Sequence, residues 1–301
     1  MLYYYIKEAQ SQKREERDMI RIVVDSTCDL PTGYAQAHGV TILPLHVTAE
    51  GKTYRDRVDI TTGEVYGLMR RGIMPTTAQV NLAEAYAGLE ELVRGGDDLV
   101  CLMFSAKMSG TCQNVFQAGR ELEERYPERR IQVLDAKGGS FATGLIAMEA
   151  VRGAEGGMEL EELVKRCEFL ISQVEHVFVI TDLNWMIRGG RISRTMGFTA
   201  NLLNIKPVLD VDDGEMEVIR KVRGTRQSME VVADLVAERA QNCPRQTIGI
   251  THADDPAAAE TMRQMLHARL PECDFLVEEI GAVLGVHLGI GGVGAFFFRD
   301  M

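Results

Sequence analysis

One stretch, DLVCLMFSAKMSGTCQNVFQAGR at 98–120, restricts the possible folds more than any other. Leu99 to Phe104 is an unbroken apolar run of strand length, the pattern of a strand buried on both faces. Small and hydroxylated residues follow, from Ser105 to Gly110. From Thr111 onward the apolar positions Val115, Ala118 and Leu122 recur at helical spacing. A strand, a Ser/Gly loop and a helix in that order form an anion site. The free N–H groups at a helix start point into the loop, and the macrodipole favours negative charge there. The ligand predicted is a small molecule bearing a carboxylate, held by Ser109, Gly110 and Thr111. Plain helix capping by Ser109 accounts for the same residues without any ligand.

The rest of the chain repeats this rhythm. IRIVVDS at 20–26 reads as a buried strand, and Asp29 with Pro31 as a helix start. VTILPLHVT at 40–48 reads as a second strand, followed by a turn at AEGK. Thr61 with Glu64, and Asn81 with Glu84, have the spacing of helix caps, and the PTTAQ segment between those helices reads as a loop. IQVLDA is a further strand, and a helix is expected around Phe141 to Val151. Strands alternating with helices of this length predict a doubly wound, mostly parallel sheet. In such a sheet the loops at the carboxyl ends of neighbouring strands meet at one crevice, so TTAQ and SAKMSGT are expected to share a ligand.

The rhythm pauses at AEGGM, which places the end of an N-terminal α/β domain at 20–156. A smaller mixed-sheet α/β domain is expected at 157–301. Its elements are a helix from Leu160, the strand HVFVITDL, a hairpin around Asp212-Asp213-Gly214-Glu215, and two more helices separated by TIGITHAD. The segment 1–19 reads as a leader extension, with too little apolar sequence before its charges for a signal peptide.

Composition narrows the function. A net charge of -11 opposes general nucleic-acid binding, which needs a basic face. No apolar run is long enough to cross a bilayer. The six cysteines lack C-x-x-C or Cys/His spacing and read as buried free thiols, so a cytoplasmic protein without bound metal is expected. The window 188–206 carries four basic residues and no acid, and Arg220, Lys221, Arg223 and Arg226 form a second group. Either is a solvated face or a dock for a phosphate or an acidic partner. Gly289-Ile290-Gly291-Gly292-Val293-Gly294 matches G-x-G-x-x-G formally but leads into a strand-like AFFF, so no dinucleotide site is expected. No P-loop, H-E-x-x-H or complete G-x-S-x-G is present; Gly138-Gly139-Ser140-Phe141-Ala142 lacks the final glycine.

Taken together, IVVDSTCDLP, TTAQ, SAKMSGT, GGRIS, IKPVLDVDDGE with KVRG, and VHLGIG resemble the DegV family of bacterial fatty-acid-binding proteins over almost the whole chain after the leader. The resemblance implies two α/β domains with a lipid enclosed between them. It implies that Thr77 and Ser109 bind the carboxylate of a long-chain fatty acid, with His287 near the ligand. It also implies a lipid-presenting subunit, not itself an enzyme and without a cofactor, that serves a separate ATP-binding fatty acid kinase. Arg191 and Arg223 would then contact that kinase or the transferred phosphate. Ala78, Ala106, Cys112 and Ile290 depart from the residues usual in the family's motifs. The competing readings are a hydrolase or phosphotransferase for a small anionic metabolite in the same crevice, and a protein-interaction module whose loop only caps a helix.

Overall fold

The computed structural model describes residues 19–191 and 204–301. The leader up to residue 18 and the last two positions of the GGRIS motif lie outside the described residues. The chain starts with β1 (Ile20–Asp25), a short helix α1 (Tyr34–His38) and β2 (Thr41–Leu43). It continues through β3 (His46–Ala49), β4 (Lys52–Arg55), α2 (Thr62–Arg70), β5 (Thr76–Ala78) and α3 (Leu82–Arg94). The expected strand, loop and helix follow as β6 (Asp98–Met103) and α4 (Thr111–Arg125). Next come β7 (Ile131–Asp135), α5 (Ser140–Glu155), α6 (Leu160–Gln173), β8 (Val174–Val179) and α7 (Asn184–Gly189). The last part holds β9 (Ile205–Asp212), β10 (Glu215–Arg223), α8 (Thr225–Arg239), β11 (Thr247–His252) and α9 (Pro256–Arg269). It ends with β12 (Asp274–Glu279), α10 (Ala282–Leu288) and β13 (Val293–Phe298).

The architecture is the expected mixed α/β. Strands β2-β1-β6-β7 form an all-parallel sheet. Strands β10-β9-β8-β13-β11-β12 form a mixed sheet in which β11 and β12 are the parallel pair. All six residues of β6 are buried, five of them belonging to the apolar run and the sixth, Asp98, paired with Arg130. Both predicted caps form. Glu64 N–H donates to Thr61 Oγ1 while Thr61 N–H donates to Glu64 Oε2 at 2.8 Å, and Glu84 N–H donates to Asn81 Oδ1 at 2.9 Å. The Asp213-Gly214 turn has φ of 43° and 86°, the two positive values that a tight hairpin between right-twisted strands needs.

Three local expectations are corrected. VTILPLHVT is two strands, because Pro44 has no N–H to continue a ladder. Its first half joins the parallel sheet as β2, and its second half turns away as β3. There β3 pairs with β4 and β5 in a small antiparallel sheet, so Thr76–Ala78 is a strand rather than a loop. Asp29 starts no helix: α1 begins after Gly33, and Asp29 is buried with a different role.

The two larger sheets are joined by α5, a helix buried on nearly every face, which contacts β1 and β6 as well as β8, β11 and β13. The chain also crosses back late. Helix α10, inside the Gly-rich tail, packs on α2, β3 and β5, so Val283 and Val286 share a core with Val47, Tyr66 and Val80.

Asp29 fastens that crossing. Its Oδ1 accepts from Arg57 Nη2 at 2.9 Å and from Gly281 N–H at 3.0 Å, and its Oδ2 accepts from Ser140 Oγ at 2.7 Å. Tyr66 Oη adds a bond to the Ile280 carbonyl at 2.9 Å. Burial outweighs Arg57 and these donors, and pushes the Asp29 carboxyl up to about 6. A carboxyl raised in the folded state contributes stability below its unfolded value near 4, and this is lost as pH rises through about 6. Urea midpoints of wild type and Asp29→Asn measured from pH 4 to 7 are expected to diverge accordingly, with wild type losing ground as pH rises. Parallel curves would mean that Asp29 is not held in this desolvated setting.

Candidate functional site

The small sheet and the late crossing together build one end of a cavity. Strand β5 pairs with β3 in the register Val47 to Thr77, which holds Thr77 on a strand edge. Helix α10 brings His287 to it, and Thr77 Oγ1 lies 2.7 Å from His287 Nε2. The other edge of the imidazole faces α7, where a Cβ at Gly189 would fall 2.2 Å from His287 Nδ1. The first glycine of the GGR sequence is therefore required by the close approach of that histidine.

Ser109 reaches the same cavity from the loop after β6. The N-cap of α4 is Gly110 and has no side-chain cap, so Ser109 does not cap in the conventional way. Its Oγ accepts from Thr111 N–H at 3.2 Å and lies 3.0 Å from Thr111 Oγ1. Thr111, fully buried, accepts from Val80 N–H at 3.3 Å, while Asn114 Nδ2 donates to the Val80 carbonyl at 2.8 Å. These bonds stitch the α4 start to the end of β5. Gly110 takes part through its missing side chain, since a Cβ there would meet Gln79 Oε1 at 2.2 Å. Gly110 and Thr111 thus join the two loops and stand behind the wall; Thr77, Gln79 and Ser109 line it.

Away from these hydroxyls the walls are mostly apolar, with Phe104, Phe178, Phe296, Ile180, Val283 and Leu284 prominent. The space amounts to about 850 Å³ when the solvent at its open mouth is counted. The β9–β10 hairpin closes one side, contributing Val211 and Met216. Its turn is fastened to the loops after β6 and β7: Ser105 Oγ donates to the Gly214 carbonyl at 2.7 Å, and Lys107 and Lys137 donate to Asp213 at 3.0 and 2.6 Å. Those two lysines hold the Asp213 carboxyl down at about 2. Lys107 is thereby paired with the hairpin.

The two arginines separate. Arg191 is exposed on the cavity edge, with Nη1 donating to the Gly189 carbonyl at 2.6 Å. Arg223, at the end of β10, lines a different surface hollow with Arg226, Glu230 and Asp234. One lining residue, His176 on β8, escapes sequence reasoning. The only signal for it is a histidine in step with Phe178 and Ile180 along an apolar strand.

Comparison with known proteins identifies the family. A family model described as an uncharacterised protein of the DegV family matches residues 19–300. The chain belongs to the DegV family. A DegV domain-containing protein of Clostridium perfringens is 34% identical over 282 residues, covering 93% of this chain and 97% of the relative. Among solved structures, a DegV family protein from Thermus thermophilus, described as binding fatty acid, is 31% identical with a TM-score of 0.85. That match covers 93% of this chain and 99% of the other. The B3 protein of a Streptococcus pneumoniae fatty acid kinase, loaded with linoleic acid, shares the fold at 18% identity and a TM-score of 0.83, covering 94% and 100%.

The departures of this DegV chain from the usual motifs fall into two groups. Ala78 lines the cavity. Ala106, Cys112 and Ile290 do not: Ala106 donates its N–H to Asp135, Cys112 is a buried thiol, and the Ile290 carbonyl accepts from Thr181 Oγ1 at 2.6 Å. All six cysteines are free, and Cys243 alone is only partly buried. Among the described residues no helix is long and apolar enough to cross a membrane.

Burial, with Arg191 adding to it, pushes the His287 imidazole down to about 4, and burial alone does the same to His176. Both are neutral at pH 7. A histidine lowered in the folded state contributes stability above its unfolded value near 6.5, which is lost as pH falls toward 4. Imidazole resonances of His287 are expected to titrate near 4 in the ligand-free protein and to move toward 6.5 in Gly189→Ala, where the added methyl displaces the ring. A wild-type His287 midpoint near 6.5 by NMR would contradict the buried geometry.

Proposed function

We propose that this protein binds a long-chain fatty acid, with the carboxylate at Thr77 and Ser109 and the acyl chain in the apolar cavity. We further propose that it presents the carboxylate to a separate ATP-dependent kinase for acyl phosphate formation. The observation that carries the first part is that Thr77 and Ser109, from two separate segments, both line one mostly apolar cavity. Burying a methylene contributes about 0.8 kcal/mol, so ten of them supply about 8 kcal/mol before ordering costs. A carboxylate buried without donors would cancel much of that, which gives the hydroxyls their purpose. Neutral His287 fits the arrangement: with Nε2–H donating to Thr77 Oγ1, the threonine proton is left to donate to the ligand.

The role so described is that of a lipid-binding subunit and not an enzyme. The kinase step draws on the pneumococcal neighbour, a fatty acid kinase protein by its description, and on the place of Arg191. An exposed guanidinium at the cavity edge suits a phosphate or a partner's acidic side chain. Arg223 is a second docking contact, apart from the cavity.

Mass spectrometry of an organic extract of the purified protein is expected to find near-stoichiometric fatty acid; turnover of a small anionic metabolite by the isolated chain would favour a hydrolase or phosphotransferase instead. Thr77→Ala combined with Ser109→Ala is expected to weaken binding at least tenfold, since hydrogen bonds to a charged group contribute about 1.5–3 kcal/mol. Displacement of a fluorescent fatty acid measures this, and circular dichroism checks the fold. With a kinase partner present, Arg191→Ala is expected to slow acyl phosphate formation more than it weakens fatty acid binding; equal losses would remove Arg191 from the transfer step.

A further inference from the structure

The fatty acid reading leaves one wall residue without a purpose. His176 is 4% exposed, and neither ring nitrogen has a hydrogen-bond partner among the described residues. A buried polar group left unsatisfied costs about 1–3 kcal/mol, and native proteins keep few of them. A leucine in the same strand would fill the wall without that cost. The surroundings have been shaped for the ring. A Cβ at Gly138 would lie 2.1 Å from His176 Nε2, and Phe296, its partner across the β8–β13 ladder, meets the imidazole edge-on with centroids 5.8 Å apart.

Its position along the cavity is also defined. His176, Phe178 and Ile180 share one face of the chain through β8. Beyond Ile180, Thr181 bonds to Ile290, just past the end of the helix that carries His287. Four residues of extended chain, about 13 Å, separate His176 from Ile180, the end of the wall that Thr181 ties to the turn after the helix carrying His287. Nearby hydroxyls are already engaged: Ser140 donates to Asp29 and lies 3.4 Å from Thr251 Oγ1. Among the described residues, the cavity-lining side chains with buried, unpaired ring nitrogens are His176, at both positions, and His287, at Nδ1 only.

We infer that His176 is a specificity residue, placed to hydrogen-bond an oxygen substituent along the acyl chain, so that the preferred ligand is an oxygenated long-chain fatty acid such as a hydroxy acid. The assignment rests on the fatty acid reading of the cavity. A neutral imidazole suits the task, since it offers one N–H donor and one acceptor and can match a hydroxyl in either sense. A plain hydrocarbon chain leaves both nitrogens unsatisfied.

Oleic and ricinoleic acids, which differ by one mid-chain hydroxyl, provide the test by competition against a fluorescent fatty acid. Wild type is expected to bind ricinoleic acid about tenfold more tightly than oleic acid. His176→Leu, which keeps the wall filled, is expected to abolish or reverse that ratio, and His176→Gln, which keeps a donor and an acceptor, to retain part of it. Binding of both acids with a ratio near one in wild type, or a preference that survives in His176→Leu, overturns the assignment and leaves the fatty acid reading standing. Failure of wild type to bind either acid overturns both.

Discussion

A single buried carboxylate governs the geometry of the site. Asp29 receives Arg57 from the small sheet's side, Ser140 from the start of α5, and Gly281 from the segment that leaves the mixed sheet. It is the point at which three remote parts of the chain are held together. The last of them continues directly into α10, so the position of His287 against Thr77 follows from where Gly281 is fastened. Without that anchor the late return of the chain would depend on the Tyr66 bond to Ile280, the Thr77–His287 pair and the apolar contacts of one short helix.

The cavity needs this rigidity because its walls come from everywhere. Hydroxyls arrive from β5 and from the loop after β6, aromatic rings from β8 and β13, and a lid from the β9–β10 hairpin. An apolar hollow of this size forgoes packing that a closed core would gain. The structure offsets that with hydrogen bonds at the rim. Ser105, Lys107 and Lys137 secure the hairpin turn, and Thr111 with Asn114 secures the two loops to each other. Residues that look like ligand contacts in a linear motif thus divide into those that face the cavity and those that hold the first group in place.

Much of the fold was legible in the sequence. The β6–α4 unit, both capped helices, the Asp213-Gly214 hairpin and the parallel character of the first sheet all follow from spacing over a few residues. Thr77 and Ser109, which the family resemblance singles out, both line the cavity. The three-stranded sheet was not legible, because β5 has three residues, too few for a periodic signal, and its partner β3 is hidden behind Pro44. Helix α10 was hidden among glycines. His176 was invisible for another reason: the strand pattern puts it on a face but does not say whether that face meets core or cavity.

The sequence by itself determined which segments are strands and helices, where most of them stop, and that a hydroxyl-bearing loop precedes α4. These depend on side-chain periodicity and backbone sterics, which act locally. The tertiary structure decided that Thr77 would meet a histidine 210 residues away, that Thr111 would tie two loops together, and that His176 would stand unpaired in an apolar wall. Those outcomes depend on how distant surfaces pack and on which buried polar groups find partners, and no short stretch of chain contains that information.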